Sequence, residues 1–235
     1  LIGRASDPPV VRRTRAEMVS QWLPNERVWL TVRNVLEADG RPVPGSPGLL
    51  GNVLAAPADA RVGRLRRVLD ANAQFNLGRT TRTFNYPTFV LAYLDPALQL
   101  RFEFSLGALS DDEVLIVKVA FAERERPTLI QGDGADRVSR GAIWLRASDG
   151  APVKTRLELS MRRGDGNSYA TVEVDYEPND ELRLSLPVGM REQYTEMRGG
   201  ATVETLSANA TYTNFRRFET SARILPAPAE SVGPR

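Results

Sequence analysis

The chain has 235 residues, with 31 Lys and Arg against 29 Asp and Glu, and it contains neither His nor Cys. Those two absences exclude imidazole acid–base chemistry, thiol nucleophiles and disulfides. The net charge of +2 is spread along polar strand faces with no basic stripe and stacking aromatics, which argues against nucleic-acid binding; no apolar run is long enough for a helical bilayer span.

The first residue is Leu1 and not Met, so the expectation is a processed product that has lost a signal or anchor. Residues 14–23 and 28–36 read as two strands around the turn Pro24-Asn25-Glu26-Arg27, and Asp39-Gly40 makes the next reversal. The Pro- and Gly-rich stretch 41–48 reads as a mobile loop between this hairpin and a helix. The helix is predicted over 59–73. Val62, Leu65, Val68, Leu69 and Asn72 share one face, Arg61, Arg64 and Arg67 face water, Pro57 and Asp59 give start signals, and 76–78 gives a stop. A second short helix opens at Pro87. Its Phe89, Val90, Leu91, Tyr93 and Leu94 are too apolar for a surface turn, so it should be buried, and Asp95-Pro96 ends it.

From 100 to about 224 the chain reads as short alternating strands joined by tight turns, so neighbours should be antiparallel. Leu100, Phe102, Phe104 and Leu106 alternate with Arg101, Glu103 and Ser105. Val153, Thr155, Leu157, Leu159 and Met161 alternate with charged residues, and after the turn at 163–167 Ala170, Val172, Val174 and Tyr176 do the same. Leu182, Leu184, Leu186 and Val188 form a further set. The runs 114–121 and 143–145 are apolar on both faces, broken only by Lys118 in the first. Trp144 is either packing or the wall of a ligand cavity. The Pro-, Ala- and Ser-rich residues 226–235 read as a disordered tail, which leaves 1–225 as one domain.

Candidate chemistry is sparse. Ser110-Asp111-Asp112-Glu113 is the densest acidic cluster. The segment 131–136 has the Asp/Gly look of a calcium loop without its ligand alternation or closing Glu, so a solvated turn is the reading and no metal is expected. Lys118 either snorkels to water or, if buried, has a lowered pKa. Glu192 can pair across a ladder with Arg216 or Arg217, as a structural pair or as an anion site, and alternation fails between Phe215 and Phe218, as at a bulge.

Segments 35–43 (VLEADGRPV), 75–78 (FNLG), 82–88 (RTFNYPT) and 210–218 (ATYTNFRRF) resemble motifs of uncharacterised exported proteins from acidobacteria, a resemblance covering most of the chain. The strand run 141–218 is similar to the half-barrel of periplasmic lipoprotein carriers and lipoprotein-sorting proteins. That resemblance implies an open, bent antiparallel sheet, capped by helices, whose hollow face takes a lipid or a lipoprotein acyl chain. The alternation read above would turn Phe102, Phe104, Leu157, Leu159, Val172, Val174, Leu184 and Leu186 toward the helices, with Trp144 as a further candidate wall. The fold class expected is α+β, mainly β: a curved antiparallel sheet, or half-barrel, with two or three helices on its concave face. The function expected is non-catalytic binding of a hydrophobic or lipidic ligand by an exported, periplasmic or cell-surface protein that needs no cofactor. The alternative is a structural or protein-interaction module with a filled core; a carboxylate hydrolase comes third.

Overall fold

The computed structural model describes residues 2–3, 8–23, 28–77, 84, 86–109, 114–132, 135–163 and 166–217. The expected turn at 24–27, the acidic run 110–113, the tail 226–235 and Phe218 lie outside the described residues.

Among the described residues, thirteen strands occur in three antiparallel sheets: β1 (Ile2–Gly3), β2 (Thr14–Leu23), β3 (Val28–Ala38), β4 (Arg41–Pro42), β5 (Phe102–Leu109), β6 (Ile116–Glu123), β7 (Ile130–Gly132), β8 (Ala135–Arg137), β9 (Ser139–Arg146), β10 (Pro152–Arg163), β11 (Gly166–Asn179), β12 (Leu184–Arg198) and β13 (Ala201–Thr211). The helices are α1 (Leu49–Leu54), α2 (Ala58–Ala73) and α3 (Pro96–Gln99), with a 3-10 helix at Val90–Leu94. The protein is mainly β, as the alternation requires.

The large sheet runs in the order β1-β13-β12-β11-β10-β9-β6-β5 and does not close. Its strands follow one another through short connections. Gly199 (φ 54°) and Gly200 (φ 83°) join β12 to β13 with two successive left-handed residues, the geometry whose twist matches a two-residue hairpin. Asp39 and Gly40 do the same between β3 and β4.

Among the described residues the buried apolar side chains form two clusters. The larger covers one face of the large sheet, where Phe102, Phe121, Ile143, Leu157, Leu159, Val172, Val174, Met190 and Leu206 meet Phe84, Val90 and Tyr93. The smaller joins Val32 of β3 to Leu50 and Val53 of α1 and Val68 of α2. The expectation that two or three helices cap the large sheet is therefore corrected for the long helix, which does not lie there. The long helix α2, predicted at 59–73 and found at Ala58–Ala73, packs on the amino-terminal hairpin, while the short 3-10 helix packs on the large sheet. Asn72 fixes the first arrangement: its Oδ1 accepts the Val35 N–H (2.7 Å) and its Nδ2 donates to the Val68 carbonyl (2.6 Å). A buried amide satisfied on both sides locks helix to strand where an apolar residue would allow sliding.

An aromatic chain holds the 3-10 helix down. Tyr93 stacks on Phe102 at 4.3 Å between ring centroids and meets Phe121 edge-on at 5.3 Å, while Phe89 stands edge-on to Tyr93 at 5.6 Å. Such offset and edge contacts each add about 0.5–1.5 kcal/mol beyond area burial. The Phe121 ring also lies over Gly141, where a Cβ would stand 2.9 Å from its Cζ and 1.8 Å from the Arg156 carbonyl oxygen. Only glycine fits there.

Candidate functional site

Six of the nine residues expected to bind ligand come together on the inner face of the large sheet. Phe102, Leu157, Leu159, Val172 and Val174 are buried in one cluster and Phe104 packs against it. They are filled in from above: Ile143, Leu157 and Thr155 are 0–1% exposed, and Tyr93 rests on Phe102.

The other three lie elsewhere. Trp144 stands on the opposite face, because its neighbour Ile143 takes the inward position on β9. Its ladder partners are Lys118 and Lys154, whose ammonium groups lie 5.4 and 5.6 Å from the indole centroid. Lys118 is thus half-buried over an aromatic ring. Leu184 and Leu186 are turned outward by a bulge. The register shifts between Asp175, opposite Gly189, and Tyr176, opposite Pro187, so Val188 is the extra residue on β12. One extra residue flips every side chain beyond it. Leu186 then pairs with exposed Glu177, and Leu184 is 58% exposed.

The same register reassigns Glu192. Its ladder partner is Ala208, while Arg216 and Arg217 lie past the end of β13 at Thr211. Glu192 is buried on the inner face and accepts the Tyr194 hydroxyl at 2.5 Å.

A groove that none of the nine residues lines opens at the edge of the inner face. It has a volume of about 570 Å³, and Phe84 and Phe89 stand on one side with Leu129 and Ile130 on the other; Arg101, Pro127, Thr128 and Gln131 complete it. The second wall is the loop after β6 together with the small β7–β8 hairpin, of which residues 131–136 are expected from the sequence to be a plain turn.

Buried carboxylate chemistry holds that wall in place. The Glu123 side chain at the end of β6 is fully buried, and Oε1 accepts the Leu129 N–H at 2.7 Å while Oε2 accepts the Ser139 N–H at 3.4 Å. Arg101 Nη2 lies 3.7 Å from Glu123 Oε1 and also donates to the Pro127 carbonyl. Its Nη1 reaches the exposed Glu125 at 3.2 Å. Beneath them Tyr93 donates to Ser139 Oγ at 3.1 Å, and burial pushes the Tyr93 hydroxyl pKa up. Thr128 ties the loop across itself: its N–H donates to Asp136 (3.0 Å), its hydroxyl donates to the Ile130 carbonyl (2.7 Å), and that hydroxyl accepts the Arg137 N–H (2.9 Å). The Thr128 N–H, aided by Arg126 at 3.5 Å, holds the Asp136 carboxyl below its usual pKa against partial desolvation.

These groups are anchors: each carboxylate is spent on backbone N–H groups or guanidinium, and the Thr128 hydroxyl on a carbonyl. Among the described residues no three metal-ligating side chains cluster, and no helix is long and apolar enough to cross a membrane. No family model, curated protein or solved structure matches the chain.

A second hollow of about 720 Å³ lies beside the amino-terminal hairpin, lined by Val11, Arg13, Thr14, Arg15, Glu37 and Asp39. Its carboxylates are already paired, Glu37 with Arg15 at 3.3 Å and Asp39 with Arg12 at 3.4 Å. The edge groove is the candidate site. Sequence reasoning missed it because its lining residues come from two loops without periodicity; the one available signal was Glu123, an acid at an inward position of β6.

Proposed function

We propose that this chain is a non-catalytic binding module for a hydrophobic or lipidic ligand, acting in the bacterial cell envelope. The observation that carries the reading is the edge groove: a hollow of about 570 Å³ with Phe84, Phe89, Leu129 and Ile130 around it, in the size and lining range of small-molecule sites. The ligand site is then the edge of the sheet and not its filled inner face. The resemblance of segments 35–43, 75–78, 82–88 and 210–218 to exported acidobacterial proteins supports the location, and that of 141–218 to lipoprotein carriers supports the ligand class and a half-barrel curvature of the sheet.

One observation favours a second reading, a protein-interaction module without ligand. The inner face that carriers keep hollow is close-packed here, with Ile143 and Leu157 at 0% and 1% exposure. The two readings separate in one experiment. Titration with an environment-sensitive fluorescent probe should show saturable uptake at a single site, and Leu129→Glu, at a position 39% exposed, should weaken it at least tenfold without changing the melting temperature. Absence of saturable uptake by the folded protein would leave the interaction reading.

A further inference from the structure

Among the described residues Arg101 is the one cationic side chain lining the groove, and its two ends are bound unequally. The Nη2 end is held by Glu123, fully buried, and by the Pro127 carbonyl. The Nη1 end is held by Glu125, whose side chain is 53% exposed. An exposed pair of that kind contributes little and is screened by salt, so the outer carboxylate is exchangeable whereas the inner one is not. Two further guanidinium groups stand on the same loop: Arg126 at 54% exposure, next to the lining residue Pro127, and Arg124 at 64%. The groove thus joins an apolar lining to a fixed guanidinium with a replaceable acidic partner.

From this we infer that the ligand is a single-chain amphiphile with an anionic headgroup of the carboxylate type, whose head takes the place of Glu125 on Arg101 while its chain lies against Phe84, Phe89, Leu129 and Ile130. The inference rests on the groove being the binding site. Exchange of one carboxylate for another at Nη1 keeps that end of Arg101 ion-paired, and the charged N–H donors at Nη1 suit a carboxylate acceptor. Glu125 acts as a built-in competitor, so its removal favours the ligand.

The test is calorimetric titration, at a pH where the acid is ionised, of the protein and two variants with dodecanoate and with dodecanol, which shares the chain and lacks the charge. Dodecanoate should bind more tightly than dodecanol. Glu125→Ala should raise dodecanoate affinity by about two- to fivefold, the value of an exposed ion pair, and leave dodecanol affinity unchanged. Leu129→Glu should weaken both. Equal affinities with no response to Glu125→Ala would overturn the headgroup assignment while the groove stands. Binding of neither compound, or binding indifferent to Leu129→Glu, would overturn the groove itself.

Discussion

Replacing Glu123 by Ala tests whether a buried carboxylate fixes the wall of the groove. The side chain has no exposed surface and serves two backbone N–H groups, at 2.7 and 3.4 Å, and one guanidinium at 3.7 Å. A buried donor left without an acceptor costs about 1–3 kcal/mol, and the shorter of the two bonds, to Leu129, carries most of that. Unit charges 3.7 Å apart attract by about 4.5 kcal/mol at an effective dielectric near 20, an amount largely offset by desolvation of the pair. Arg101 is not stranded by the change, because Glu125 and the Pro127 carbonyl remain, so the cost falls at the lower end of the range of about 3–5 kcal/mol for breaking a buried pair. The expected loss is about 3 kcal/mol in urea-denaturation stability. Glu123→Gln, which keeps an acceptor for Leu129, should lose about half as much. The amides of residues 129 and 130 should also lose hydrogen-exchange protection out of proportion to the global loss. A cost below about 1 kcal/mol for the Ala variant, with protection unchanged, would refute the anchoring role.

Gly141→Ala places a Cβ 1.8 Å from a backbone oxygen of the neighbouring strand, so the variant should lose more than about 3 kcal/mol, beyond the usual overpacking range, or fail to fold; a near-wild-type denaturation midpoint would contradict the packing of β9 on β10. Gly63→Ala meets open space in the middle of α2 and should gain about 0.5–1 kcal/mol in the same assay. Trp144→Ala should leave probe uptake by the groove unchanged, since the ring stands on the outer face beside Lys118 and Lys154; a large drop in affinity would place the ligand elsewhere. Asp136 has a lowered pKa in the folded chain, so its contribution is fully present above the ordinary Asp value and lost as pH falls through the lowered one. The Thr128 amide shift in NMR should accordingly titrate with a midpoint below the ordinary carboxylate range, and a midpoint at or above that range would contradict the bond.

Periodic elements were legible and their partners less so. The helix at 59–73, the hairpin strands from Thr14 and Val28 and the inward set Leu157, Leu159, Val172 and Val174 follow from spacing alone, and each is found within a residue or two of its expected place. The inward assignment failed at Leu184 and Leu186 because a bulge leaves no mark in an alternating apolar run; Val188 and Gly189 read as well in one register as in the other. Which surface α2 covers depends on Asn72, a polar residue that a hydrophobic pattern cannot rank. Helix α1 and the β7–β8 pair are too short for periodicity to show. Asp95-Pro96 ends the 3-10 helix as its sequence suggests, and Asp95 also caps α3 by accepting the Ala97 N–H. The groove is least visible, since its outer wall is set by side-chain-to-backbone hydrogen bonds within residues 123–139 and by Arg101 reaching Pro127, none of which follows a period.

The outer-face ladder has a practical consequence. The chain has only two lysines, and both ammonium groups rest on the indole of Trp144. Amine-directed reagents such as succinimidyl esters will therefore find their side-chain targets on a single small patch, on the far side of the sheet from the aromatic cluster beside the groove. Attaching the protein to a bead or a sensor chip through those amines presents the groove outward in a uniform orientation. Acylation there also removes both cations from one ring, so in a variant with Trp22 and Trp29 replaced by Phe the extent of labelling can be followed in the emission of Trp144.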